Sequence, residues 1–150
     1  MKRHFGSWAS RLMRGGTTLD DGDHHVLSLL VSELPTNLRE KVERQFDSYD
    51  LVQREIDKRA LNFYPCRTGA PPAAATLLRS KSEVAPLVRL SVQVAGQSEV
   101  LNAVLNAVAG RAFSVSFNRP VPSNVDTADL SVVKVTRAWL SNFEDDASAA

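Results

Sequence analysis

The sequence predicts an α+β fold in which an N-terminal pair of helices packs on one face of a mainly antiparallel sheet of about four or five strands. Three observations predict it. Apolar residues recur at helical spacing chiefly before Ser48, while alternation of apolar and polar residues dominates afterwards. The repeated strand–helix alternation of a doubly wound nucleotide fold is missing.

The 150 residues are the size of one domain. Hydrophobic residues at 43% and charged residues at 23% exclude a disordered or collagen-like chain. Lys plus Arg (18) nearly balance Asp plus Glu (17), leaving +1 and no global field to attract nucleic acid or an anionic membrane. The single cysteine, Cys66, excludes an intrachain disulfide and a multi-thiolate zinc site, which suits a reducing, bacterial-type cytoplasm. No apolar run approaches the ~18 to 20 residues of a membrane span, and the basic N-terminus lacks the apolar core of a secretory signal. A cytoplasmic protein is expected.

Residues 1–16 form a basic amphipathic segment, with Lys2, Arg3, Arg11 and Arg14 around Phe5, Trp8 and Leu12. Gly15 and Gly16 close it, and a single α+β domain is expected over residues 17–140. Asp23 is the candidate N-cap of a helix running to about Glu33, which packs Val26, Leu27, Leu29 and Leu30. Pro35 stops that helix. Asn37 with Glu40 resembles a capping box opening a second helix, with Leu38, Val42 and Phe46 on one face and Arg39, Lys41, Glu43 and Arg44 on the other.

Leu51 to Ile56 and Ala60 to Tyr64 read as a β-hairpin around the charged turn Asp57-Lys58-Arg59. Residues 65–83 are rich in Pro, Ala and small polar residues and read as a long loop. The clearest strand follows, with Val88, Leu90, Val92 and Val94 on one face and Arg89, Ser91 and Gln93 on the other. From Ser98 to Gly110, the spacing of Val100, Leu101, Val104, Leu105 and Val108 predicts a helix closed by Gly110, although the valine content also suits a strand. Ala112 to Phe117 and Leu130 to Trp139 supply the last strands. Residues 141–150 form an acidic tail expected to fray.

The run Asp20-Asp21-Gly22-Asp23-His24-His25 holds the ligand types of a divalent-metal site, so a metal-dependent enzyme is one alternative. Adjacent histidines on a helix point about 100° apart, which favours helix capping with solvated imidazoles. No Gly-x-Ser-x-Gly elbow or phosphate-binding glycine loop occurs, and every histidine lies at or before His25. Arg67 beside Cys66 favours its thiolate, yet no base accompanies it. A non-enzyme without a cofactor is expected.

A second alternative is RNA or DNA binding by Arg54, Lys58, Arg59 and Arg67 with Phe63 and Tyr64, where aromatic stacking lies beside cations. The leading expectation is a protein-binding domain of inhibitor or immunity type that docks on and neutralises a toxin enzyme. It rests on class-level analogy with small, disulfide-free, motif-free proteins that act through charged and aromatic contacts. The expected interface is Tyr49, Arg54, Glu55, Asp57, Arg59 and Tyr64, beside the 66–83 loop.

Overall fold

The computed structural model describes residues 19–49, 51–64, 77–122, 125–137, 140 and 143. The basic segment 1–16, Cys66, Arg67 and most of the long loop, Trp139, and the tail beyond Phe143 lie outside these residues. Two helices, α1 (Asp21–Ser32) and α2 (Thr36–Ser48), precede six strands: β1 (Leu51–Arg54), β2 (Ala60–Tyr64), β3 (Val84–Val94), β4 (Val100–Val108), β5 (Arg111–Phe117) and β6 (Leu130–Thr136). They form one antiparallel sheet in the order β1-β2-β5-β4-β3-β6. The α+β arrangement agrees with the sequence reading, with one strand more than expected.

That strand is β4, where a helix was expected over residues 98–110. Its burial alternates strictly, with Leu101, Ala103, Leu105 and Ala107 inside. Two small alanines share the core face with two leucines, so the period of two is masked by the valines at 100, 104 and 108 on the other face. Ala109 and Gly110 then both adopt positive φ, 51° and 80°, and connect β4 to β5 as a two-residue hairpin turn.

The helix starts also differ from expectation. The N-cap of α1 is Asp20; Asp23 lies one turn inside, and its carboxylate accepts the Asp20 backbone N–H at 3.2 Å. For α2 the cap position is Pro35 rather than Asn37, since its fixed φ of −55° leads directly into Thr36. Only Glu33 and Leu34 separate α1 from that cap, so the helices form a tight pair.

The helices bury Val26, Leu27, Leu30, Leu38, Val42 and Phe46 against Val88, Leu90, Val92, Leu105 and Val115 of the sheet. Phe143, placed in the tail by sequence, is 6% exposed and bridges to Ser80. The opposite sheet face is mixed, with Val100, Val104 and Val108 among polar residues that include Asn62, Ser114 and Asn106 in one row and Ser91 beside Asn102 in another, where Ser91 Oγ donates to Asn102 Oδ1 at 2.7 Å. Among the described residues no helix is long and apolar enough to cross a membrane.

Candidate functional site

The β1–β2 hairpin carries five of the six residues singled out by sequence, and the structure divides them among three environments. Beside the turn, at the end of β1, Arg54 is turned back onto α1. Its guanidinium donates to the carboxylate of Asp23, which is fully buried, and lies 3.8 Å from that of Asp20. Burial alone would pull the Arg54 pKa down, but the hydrogen bond and charge of Asp23, reinforced by Asp20, hold it above the ordinary arginine value. Arg54 therefore ties the N-terminus of α1 to the edge of the sheet.

Glu55, Asp57 and Arg59 stand at the tip and are exposed. The backbone there is well braced. The Glu55 N–H donates to Ala60 O at 3.0 Å, the Lys58 N–H to Glu55 O at 2.9 Å, and the Arg59 N–H to Asp57 Oδ1 at 3.0 Å, with Lys58 at φ 60°. Asn62 donates to Glu55 Oε1 at 2.9 Å. At the apex sits Ile56, 101% exposed, a residue that the sequence reading placed at a strand end and passed over.

Tyr49 and Tyr64 lie away from this tip. Tyr49 is 2% exposed and donates its hydroxyl to Ala112 O at 2.7 Å, so it belongs to the core rather than to an interface. Burial pushes its pKa up to about 12, with Arg111 pulling the other way. Tyr64, at the far end of β2, meets Phe113 edge-on at 5.4 Å between centroids.

A cavity of about 380 Å³ opens beside them, where β2 ends and β5 begins. Its described walls are the rings of Tyr49, Phe63, Tyr64 and Phe113, together with Val108, Ala109 and Arg111. Phe113 reaches it as the extra residue of a β-bulge, since Ala107 pairs with Ala112 and Asn106 with Ser114. The turn that positions Arg111 is gripped from outside. Gln45, fully buried on α2, donates to Gly110 O at 3.0 Å and accepts the Ala112 N–H at 2.7 Å, while Leu78 N–H donates to Gly110 O at 2.8 Å. No local sequence pattern marks Gln45, Arg111 or Phe113 as partners, because their association spans the whole sheet.

The two alternative readings fare differently in residue terms. Of the nucleic-acid set, Phe63 is 2% exposed in the core, Arg54 is committed to Asp23, and Lys58 and Arg59 remain at the surface. Of the metal set, Asp20 and Asp23 serve the helix start and Arg54, and His24 and His25 face each other at 5.8 Å. Among the described residues no three His, Cys, Asp or Glu side chains converge as they would around an ion. Comparisons of the chain with protein-family models, with curated proteins and with solved structures gave no match.

Proposed function

We propose that the chain is a non-catalytic protein-binding domain that presents the tip of the β1–β2 hairpin to another protein. The observation that supports this reading is Ile56: a fully exposed isoleucine at the apex of a hydrogen-bonded turn, flanked by Glu55, Asp57, Lys58 and Arg59. An apolar anchor inside a rim of both charge signs is the anatomy of a selective protein contact. The braced turn adds to this, because a preorganised loop loses little freedom when it docks.

In its sharper form the partner is an enzyme and this chain its inhibitor, of the immunity type that neutralises a toxin. That form rests on size, a single cysteine and the lack of a catalytic motif in the sequence.

The test captures partners from the native extract with the tagged full chain, at low and high salt, and measures affinity for the purified partner by calorimetry. A stoichiometric protein that survives high salt and binds Ile56→Asp about tenfold or more weakly, at unchanged melting temperature, is the expected result. Equal affinity for the wild type and Ile56→Asp overturns the site. Recovery of nucleic acid that washes off with salt overturns the class. A partner enzyme whose activity is unaffected by saturating chain removes the inhibitor form and leaves the docking reading standing.

A further inference from the structure

We propose that the cavity at the end of the sheet binds a small apolar acid, namely a planar or aromatic group bearing one carboxylate. Four features point there. The cavity, at about 380 Å³, falls within the usual range of small-molecule sites, roughly 300–1,000 Å³. Its walls are aromatic: Phe63 is buried, and Tyr64 and Phe113 stand edge-on to each other at the mouth. Planar groups pack against such rings with a geometric preference that aliphatic chains lack.

Arg111 is the one charged side chain among the described residues that line the cavity, and no carboxylate there balances it. Its Nε is buried and has no hydrogen-bond partner among the described residues. A buried guanidinium nitrogen without an acceptor carries an uncompensated desolvation cost, and an anion is the group that removes it. A single guanidinium fork matches a single carboxylate in bidentate fashion. The neighbouring Tyr49 hydroxyl donates to Ala112 O, which leaves Arg111 as the charged group and the Tyr64 hydroxyl as a neutral polar group on the described wall.

Such a carboxylate has two natural sources, a free aromatic acid or the C-terminus of a polypeptide ending in an apolar residue. The site is independent of the hairpin tip, so failure of either reading leaves the other intact.

The probes are naphthoate, its neutral analogue naphthylmethanol, and a short peptide ending in Phe as free acid and as amide. Binding to the full chain is followed by calorimetry and by the resonances of Tyr64 and Phe113. Naphthoate is expected to bind and to shift those resonances, with naphthylmethanol weaker by about tenfold or more. Arg111→Gln is expected to abolish that preference with the melting temperature held, and Val108→Phe, which fills the cavity, to abolish binding of both. Tighter binding of the peptide acid than of its amide and of naphthoate assigns the polypeptide source; tighter binding of naphthoate assigns the free acid. The proposal is overturned by equal affinity for naphthoate and naphthylmethanol, by naphthoate binding undiminished in Arg111→Gln or Val108→Phe, or by no binding of any probe.

Discussion

Two hairpins of this sheet differ both in the length of their turns and in how those turns are held. The β1–β2 turn is closed mainly by its own backbone and by the Asp57 side chain, with one bond from outside, Phe117 N–H to Arg59 O at 2.7 Å, and every residue from Glu55 to Arg59 is exposed. The β4–β5 turn is held from outside, by Gln45 and by the backbone of residues 78 and 83. A Cβ added to Gly110 would lie 2.5 Å from Leu78 O, so the turn has no room for change. A turn closed mostly by its own backbone leaves its side chains available for a partner, whereas a turn gripped on its backbone by its neighbours is fixed in place by the fold.

The contrast is sharpest where the first hairpin's turn meets β1, at Arg54. Arg54→Ala strands the buried Asp23 carboxylate and should cost about 3 kcal/mol, as for a broken buried ion pair. Chemical denaturation measures this, and a loss below ~1 kcal/mol would mean that water already solvates the pair. Next, Gln45→Ala takes from the Ala112 N–H its side-chain acceptor and leaves Gly110 O with Leu78 N–H alone, and should cost about 2 kcal/mol by the same measurement.

Tyr49→Phe should cost about 1 kcal/mol near neutral pH for the lost bond to Ala112. Its pH dependence has a definite sign. The folded pKa, about 12, lies above the ordinary value of 10.0, so the native state favours the neutral hydroxyl. The stabilising contribution is complete below about pH 10 and is lost as pH rises toward 12. The tyrosinate absorbance step near 12 should vanish in Tyr49→Phe. The smallest expected change is Ile56→Ser, within about 0.5 kcal/mol of wild type. A larger loss would show that the first tip, too, is part of the fold.

Much of this architecture is legible in the sequence where one periodicity stands alone. The alternation of Val88, Leu90, Val92 and Val94 reads as a strand and is one, and the spacing of Leu38, Val42 and Phe46 reads as the buried face of α2. Residues 98–110 satisfy two periodicities at once. Leu101 and Leu105 lie four apart as well as an even number apart, and the alanines between them are too small to break the tie. Gly110 added to the ambiguity, since a positive φ serves a helix end and a hairpin turn equally well.

At the candidate site, the exposed tip residues Glu55, Asp57 and Arg59 were legible because turn chemistry is local. The burial of Tyr49 and the ion pair of Arg54 were not legible because each is set by a distant partner, Ala112 and Asp23. Nothing within a few residues of either one records those contacts.

The strand order also sets a schedule for assembly. β3, β4 and β5 follow one another through short turns and pair as a meander, so their contacts need little loop closure. Pairing of β2 with β5 joins Asn62 to Ser114, and pairing of β6 with β3 joins Leu90 to Val135, across far longer stretches of chain. The meander is thus the natural folding nucleus, and the outer strands condense onto it. The aromatic cavity straddles that boundary, with Phe113 and Arg111 on an early strand and Tyr64 on a late one. Slow hydrogen exchange should therefore concentrate in β3 and β4, while the edge strand β1 opens with β2 and takes one wall of the cavity with it.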